Sequence, residues 1–347
     1  MIHYRHTLLA ALAAMALTAC DNGNPVFDDF DYQTAYFAHQ VVGRTVTLGN
    51  NDEVDVTLDN QHKVQIQATM GGAYSNPNNI IIKVSVDDRL CDGLFFDAST
   101  GGNKVLPMPR EYYTLASDKI SIPAGKPRGG VDVQLTDAFF NDPKALEFNY
   151  VIPLVMTDAM GVDSILRGKP LVDNPDRMVG GNWSVQPRDY VLYAIRYVNP
   201  YQGSYLRRGT DAITKADGTK ATAVRHAQYV ENDEVVFTST MGLNKTMQPV
   251  TVKKDDGNAV TFNLTLTFSA DGTCSVTSDN ADYEISGNGK FVSKGEKHSM
   301  GGKDRDGLYL DYKVRLKNHG NLEYATKDTL VLRSREVKML YPTVTKK

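Results

Sequence analysis

The residues best suited to hold a ligand lie in one stretch, NWSVQPRDYVLYAIRYVNPYQGSYLRRGTD, at positions 182–211. Aromatic rings offer flat apolar faces to sugar rings, and arginine supplies fixed donors for sugar hydroxyls. The alternative for the same aromatic residues is packing inside a domain or between domains. The aromatic residues near predicted loops, with the arginines that follow them, form the candidate ligand-binding surface: Trp183, Tyr201, Tyr205, Arg207 and Arg208.

Two other tyrosines of this stretch, Tyr193 and Tyr197, are expected in a core. Spacings of three and four residues would suit a helix, but the β-branched residues around them favour a strand, and Pro200 prevents a helix from continuing. In a strand, Tyr193, Ile195 and Tyr197 share one face. We therefore expect both tyrosines to point into a domain.

The motifs of common catalytic sites are missing from the sequence. There is no GxSxG, HExxH or CxxC pattern and no phosphate-binding loop, and no histidine lies four residues from another. Acidic residues are numerous, so a glycosidase pair of carboxyl groups, about 5–9.5 Å apart, is a weaker alternative. The sequence therefore predicts a protein that is not an enzyme and that uses no metal and no cofactor.

The amino terminus has the pattern of a secretory signal. An apolar stretch, Leu8 to Leu17, follows a weakly basic start and is too short to span a bilayer. It ends in small residues before Cys20, which resembles a bacterial lipobox. We predict a signal peptide over 1–19, a lipidated Cys20 and a flexible tether over 20–33. An ordinary signal peptide with a chance cysteine is the alternative.

Charge and cysteine content narrow the class further. Removing the signal peptide takes away Arg5 and no acidic residue, which leaves 37 basic against 41 acidic side chains, a net charge of −4. The sequence contains no cluster of basic residues, so nucleic acid is not an expected partner. Beyond Cys20 only Cys91 and Cys274 remain. We expect two buried free thiols rather than a disulfide between domains.

The rest of the chain is predicted to be all-β. Short strands with period-two alternation, such as KVQIQATM at 63–70, are separated by glycine and proline turns and indicate an immunoglobulin-like antiparallel β-sandwich over 34–165. The segment 166–188 contains three prolines and a Gly-Gly pair and is predicted to link two domains. About nine sequential strands over 189–345 favour an up-and-down antiparallel β-barrel, with a second sandwich as the alternative.

Several segments resemble a known family. LDNQHKVQIQATMGGAY (58–74), VLPMPREYYTLASDKISIPAG (105–125) and GGVDVQLTDAFFNDPKAL (129–146) resemble the Bacteroidota domain-of-unknown-function 1735 family. WSVQPRDYVLYAIRYVNPYQGSYLRRG (183–209) is similar to the start of its companion C-terminal domain. The resemblance implies a barrel of calycin or lipocalin type. It also implies a surface lipoprotein of a Sus-like glycan-uptake system, lipid-anchored in the outer membrane through Cys20 and facing the cell exterior.

These observations together predict a non-catalytic cell-surface glycan-binding lipoprotein. It would capture an oligosaccharide or polysaccharide near an uptake porin, with a SusC/SusD-like porin complex as a further partner and the membrane contacted through the lipid anchor. Tethering would raise the local concentration of ligand even at modest affinity. The alternative function is a surface adhesin or structural protein that binds a protein partner.

Overall fold

The structure is a computed structural model that describes residues 30–254, 256–338 and 340–347. The predicted signal peptide, Cys20 and most of the predicted tether lie outside the described residues. None of the helices in the described part of the chain is long and apolar enough to cross a membrane. The described chain is almost entirely β-structure, which confirms the predicted fold class.

The first domain is built on one eleven-stranded, strongly curved sheet that forms a half-barrel. The elements of this domain that precede the barrel are β1 (Thr34–Tyr36), β2 (Val41–Thr47), α1 (Thr57–Asn60), β3 (Lys63–Gly71), β4 (Ile80–Val86), β5 (Leu94–Phe96), β6 (Leu106–Pro107), β7 (Tyr113–Leu115), β8 (Lys119–Ile122), β9 (Arg128–Leu135), α2 (Asp137–Asn141), β10 (Tyr150–Met160), β11 (Ser164–Ile165), β12 (Lys169–Pro170), β13 (Trp183–Val185) and β14 (Tyr190–Val198). The strand order of the sheet is β11-β1-β3-β9-β8-β4-β10-β14-β2, with β6 beside β10 and β7 beside β9.

Alternating apolar residues explain how this sheet covers its core. In β3 the side chains of Val64, Ile66 and Ala68 are buried, while the intervening residues face outward. Not every pairing is antiparallel, because β14 runs parallel to β2 and β1 runs parallel to β11. Short 3₁₀ helices connect the strands of both domains: Asp88–Cys91, Ala98–Thr100, Arg110–Tyr112, Pro143–Leu146, Gly180–Asn182, Val230–Asn232 and Met300–Gly302.

The predicted boundary between the domains is wrong by one strand. β14, predicted to open the barrel, instead pairs with β10 and β2 inside the first sheet. It is buried along nearly its whole length, as a central strand with both faces covered must be. The predicted linker 166–188 therefore lies against the first domain, and the chain crosses to the second domain at about Asn199.

The second domain is an antiparallel barrel that closes where its first long strand pairs with its last. Asp256-Gly257 and Asp271-Gly272 form two of its hairpin turns, with φ of 80° at Gly257 and 82° at Gly272. Its strands are β15 (Gly203–Thr214), β16 (Lys220–Arg225), β17 (Glu234–Gly242), β18 (Lys245–Lys253), β19 (Ala259–Phe268), β20 (Thr273–Thr277), β21 (Tyr283–Glu296), β22 (Arg305–Leu316) and β23 (Leu322–Ser334).

After the barrel the chain returns to the first domain. The strand β24 (Val344–Lys346) pairs with β5, and the Asp97 carboxylate accepts hydrogen bonds from the backbone and hydroxyl of Thr343, at 3.0 and 2.6 Å. The barrel is therefore an insertion between β14 and β24. The first domain is incomplete without residues that follow the barrel.

Each domain has its own apolar core, and each core contains one free thiol. Cys91 packs with Leu94 and Phe96 in the first domain, and Cys274 lies inside the barrel. Burial raises the pKa of both thiols to about 12. The expected pair of buried free thiols is confirmed.

Candidate functional site

The predicted aromatic surface is not formed, because its members lie apart and are largely covered. Trp183 belongs to the first domain, where β13 pairs with β12. Its side chain is only 9% exposed, and its indole nitrogen donates a 2.8 Å hydrogen bond to the Asp176 carbonyl. The prediction of an exposed stacking ring at Trp183 is therefore wrong, since the ring is largely covered and its hydrogen bond lies within the 166–188 segment.

The two tyrosines of the predicted surface belong to the barrel interior. Tyr205 is fully buried, and its hydroxyl donates to the carbonyl of Tyr201 at 2.9 Å. Tyr201 is half-buried and stacks on Phe268, with 3.5 Å between ring centroids and 10° between planes. Tyr205 presents no face to solvent, and Tyr201 has one face already covered, so neither offers the expected sugar platform.

The two arginines are also engaged within the barrel. Arg207 is 3% exposed and donates to Asp328 at 2.9 Å, and it also contacts Glu234 and the Tyr312 hydroxyl. Arg208 donates to the buried carboxylate of Asp233 at 2.6 Å. These guanidinium groups hold strands together. The prediction that they serve as donors on a binding surface is wrong for Arg207 and unsupported for Arg208.

A different site lies where the half-barrel fails to close. The strand β2 ends the sheet on one side, and β3 is paired with β1 only at Thr69–Gly71. Between them is an open groove of about 390 Å³, which we call the seam groove. It is bounded by β3 residues 65–69, Val42 of β2, Val191 and Tyr193 of β14, the loop residues Ala38 and His39, and Arg128 of β9.

Tyr193 forms the floor of the seam groove. Only 7% of its surface is exposed, yet its hydroxyl has no hydrogen-bond partner among the described residues. Burial raises the pKa of this phenol to about 12, so it stays protonated and able to donate at neutral pH. The hydroxyl oxygen is not enclosed and opens into the groove, where a ligand or water can complete its hydrogen bond. Tyr193 thus combines the predicted core position with an unexpected polar role.

One wall of the groove carries a chain of side-chain amides. The Gln67 side chain donates to the Gln65 oxygen at 2.8 Å, and Gln65 donates to Asp132 at 2.9 Å. Because Gln65 is held by Asp132, its orientation is fixed, and this in turn orients Gln67. The Gln67 amide therefore presents an acceptor at the exposed end of an ordered chain.

The rim of the groove supplies exposed rings and cationic groups. His39 lies beside Tyr341, with ring centroids 6.1 Å apart, and Tyr341 is 67% exposed. Arg128 is exposed and has no ion-pair partner among the described residues. The groove therefore joins an aromatic rim, an apolar floor and several hydrogen-bonding groups, which is the make-up of a small-ligand site.

A second groove, of about 400 Å³, lies on the barrel. It is bounded by Met241, Met247, Asn263 and Tyr283 among others. Tyr283 packs against Phe262, with 5.3 Å between ring centroids, and is half-buried. Among its described lining residues there is no hydrogen-bonded chain of side-chain amides like that of Gln67 and Gln65, so this barrel groove is the weaker candidate.

The sequence did not reveal the seam groove. Its two sides, β2 and β3, come from segments that are not paired with each other, and only the curvature of the sheet brings them near. Gln65 and Gln67 fit an ordinary solvent-facing pattern on β3. The one available signal was the phenol oxygen of Tyr193, because a tyrosine assigned to a core needs a partner for its hydroxyl.

The fold and groove define a two-domain all-β protein with a candidate ligand site, and comparison with known proteins gives its family. A model of a domain of unknown function, DUF5627, matches residues 200–336. A second model, described as an N-terminal domain, matches residues 30–163. The DUF5627 match begins at residue 200, which agrees with a crossing between domains near Asn199, whereas the N-terminal match ends before β14. The comparison with curated proteins finds no match.

Solved structures give the family relationship. A Bacteroides ovatus protein of unknown function is 51% identical, with a TM-score of 0.87, over 92% of this chain and 100% of that chain. The chain belongs to the same family as that protein, a Bacteroidota family of unknown function with a DUF5627 domain.

Two further structures are more distant. A multidomain protein including DUF1735 from Bacteroides ovatus is 14% identical, with a TM-score of 0.39, over 88% of this chain and 97% of that chain. An auxiliary nutrient binding protein from Bacteroides thetaiotaomicron is 15% identical, with a TM-score of 0.37, over 85% of this chain and 91% of that chain. Likenesses at this level carry no argument about function.

Proposed function

We propose that this protein is a non-catalytic saccharide-binding protein and that the seam groove is its binding site. The observation that carries the proposal is the Tyr193 hydroxyl, which opens into a groove of about 390 Å³ and has no hydrogen-bond partner among the described residues. A sugar hydroxyl is the right size to complete this hydrogen bond. Neighbouring ring hydroxyls would meet the Gln67 amide, and the apolar face of a sugar would meet His39 or Tyr341.

The chemistry of the groove supports binding without catalysis. Its lining residues include no aspartate and no glutamate. Hydrolysis of a glycosidic bond normally needs two carboxyl groups on opposite sides of the bond. Tyr193 cannot replace one, because its raised pKa keeps it protonated near neutral pH. A bound saccharide would therefore leave unchanged.

The proposed cellular role follows from the sequence. A lipid anchor at Cys20 would hold the protein on the outer membrane, and an outward orientation would present the groove to extracellular glycans. Delivery to a SusC/SusD-like porin needs only modest affinity, because tethering supplies a high effective concentration.

A glycan array probed with the chain that begins after Cys20 tests this proposal, followed by calorimetry on any hit. We expect a specific saccharide with micromolar-to-millimolar affinity. Tyr193→Phe removes one hydrogen bond and should weaken binding about three- to tenfold. Tyr283→Phe makes the same chemical change in the barrel groove and should leave binding unchanged.

Two results would count against the proposal. Silence of the array across plant, fungal and host glycans would remove the saccharide as the ligand class. Loss of binding in Tyr283→Phe, with Tyr193→Phe unaffected, would move the site to the barrel groove.

A second candidate function has one observation in its favour. Adjacent to the seam groove, β2 and much of β3 have strand edges without a pairing strand among the described residues. An extended segment of a protein partner could add to such an edge through backbone hydrogen bonds, as an adhesin would require. Selection from a library of extended heptapeptides, followed by hydrogen exchange on β2 and β3, tests this. Absence of binders that protect these edge amides would end this candidate.

A further inference from the structure

The charges around the seam groove are unevenly distributed. Among its described lining residues the cationic side chain is that of Arg128, and no carboxylate lines the groove. Arg188 lies against the loop of Ala38 and His39, because its guanidinium donates to the Ala38 carbonyl at 3.0 Å. This cationic edge occurs on a chain whose overall formal charge is −3, so it does not reflect general composition.

Strand register brings Arg128 and His39 to the same end of the groove. Arg128 is the register partner of Thr69 on β3, and Thr69 pairs on its other side with Tyr36 of β1. The chain continues from Tyr36 directly into Ala38 and His39. Arg128 and His39 therefore flank the stretch of β3 that ends at Thr69.

Two carboxylates near the groove, those of Asp132 and Asp59, are already engaged and lie away from this end. Asp132 accepts the hydrogen bond from Gln65, and it is the register partner of that residue, four positions from Thr69. Asp59 is paired with Arg44 and also accepts from the Thr47 backbone, near the far end of β2. Neither carboxylate neutralises Arg128.

We infer that the seam groove takes an acidic saccharide, with a sugar carboxylate held at the Arg128 end and a ring hydroxyl held by Tyr193. A guanidinium group is suited to a carboxylate, because its parallel N–H groups can make two bonds to the two oxygens. This inference rests on the proposed function, which requires only that the groove bind a saccharide of some kind.

The test uses ligand pairs that differ in charge alone. Oligosaccharides of galacturonate, glucuronate and mannuronate are compared by calorimetry with the same oligosaccharides after methyl esterification. We expect one free acid to bind at least about tenfold more tightly than its ester, since a charged hydrogen bond is stronger than a neutral one. Raising sodium chloride from 50 to 500 mM should narrow that difference.

Matched variants locate the carboxylate. Arg128→Gln should remove the preference for the free acid, and Arg128→Lys should restore part of it. Lys83→Gln removes one positive charge from an exposed site on β4, outside the groove, and should leave the preference intact. Both positions are exposed, so the melting temperatures of the three variants should match that of the unaltered chain.

The outcomes separate this inference from the proposal beneath it. Equal affinity for acid and ester, tighter binding of neutral sugars, or an acid preference that survives Arg128→Gln would overturn the inference while leaving saccharide binding in place. Failure of every acidic and neutral saccharide to bind would overturn both.

Discussion

The ring of Tyr193 has a structural role, whereas its hydroxyl oxygen has a proposed role in binding. Its ring packs in the core of the first domain, which the strand pattern predicted correctly. Its hydroxyl lacks a hydrogen-bond partner among the described residues. The strand pattern of the sequence does not predict whether a hydroxyl has such a partner. Core positions can be predicted from periodicity, whereas the satisfaction of each polar atom depends on neighbours that only the folded chain brings together.

Tyr193→Phe should weaken binding without weakening the fold. Removing a groove-facing hydroxyl that has no partner among the described residues breaks no hydrogen bond of the fold, so we expect the free energy of unfolding to change by less than about 1 kcal/mol. Denaturant unfolding without ligand measures this. A loss of more than about 1 kcal/mol would mean that the hydroxyl has a structural partner in solution.

The barrel contains a buried ion network that joins strands distant in sequence. Asp328 on β23 is fully buried, and it accepts from Arg207 on β15 at 2.9 Å and from Arg225 on β16 at 2.8 Å. The network lies where β15 changes its partner from β17 to β16. It therefore fixes β15 and β16 to β23. The sequence marked Arg207 as notable but gave no sign of its partner, because 121 residues separate it from Asp328.

Asp328→Asn should destabilise the barrel by about 3–5 kcal/mol, because it takes a buried carboxylate from the buried Arg207 guanidinium and from Arg225, whose side chain is 25% exposed. Asp311→Asn is the matched control on the neighbouring strand, where the carboxylate is exposed and lies 3.5 Å from Lys327. We expect the control to change stability by less than about 1 kcal/mol. Thermal unfolding of both variants measures this difference in stability. Equal losses of stability in the two variants would contradict a structural role for the network.

At the scale of elements, the strands were predictable and their partners were not. The hydrophobic run of β14 indicated a strand correctly, but the same run suits either domain. Its actual neighbour β2 lies about 150 positions earlier, for example Thr45 beside Arg196. The Pro- and Gly-containing segment 166–188 has the composition of a linker, yet Arg167 secures it to the first domain by donating to the carbonyls of Met156 and Thr157 on β10. Composition does not distinguish a linker from a segment that wraps a sheet.

Removing residues 337–347 should loosen the first domain before the barrel. The deletion takes away β24, which pairs with β5 and helps to cover Leu94 and Phe96. Hydrogen exchange should show fast exchange at Leu94–Phe96, while the barrel strands remain protected. Asp97→Ala, which removes the acceptor for Thr343, should give a weaker form of the same effect. Unchanged protection of β5 in the deletion variant would contradict this role.

At the scale of the whole molecule, the two domains are joined by more than a linker. Arg335 is 3% exposed and donates to four backbone carbonyls at the junction. Two of these belong to Leu48 and Asn50 in the first domain, and two belong to Asn199 and Gln202 in the connection, at distances of 2.6 to 3.0 Å. Burial lowers the pKa of this guanidinium group.

Arg335→Lys should lower the free energy of unfolding by about 2–3 kcal/mol, because an ammonium group cannot span four separated acceptors. Calorimetry should then resolve two transitions where the unaltered chain gives one. Arg333→Lys makes the same exchange two residues earlier at an exposed position and should have little effect. A single unshifted transition in Arg335→Lys would show that the junction does not depend on the guanidinium fork.

The position of β24 in the chain sets an order of events during synthesis. The β5 edge emerges from the ribosome early, but its partner strand is made only after all nine strands of the barrel. Until then the β5 edge is open to incorrect pairing, including pairing with other nascent chains. Maturation of the first domain therefore depends on completion of the second, and a chain that stalls within the barrel leaves the ribosome with that edge uncovered.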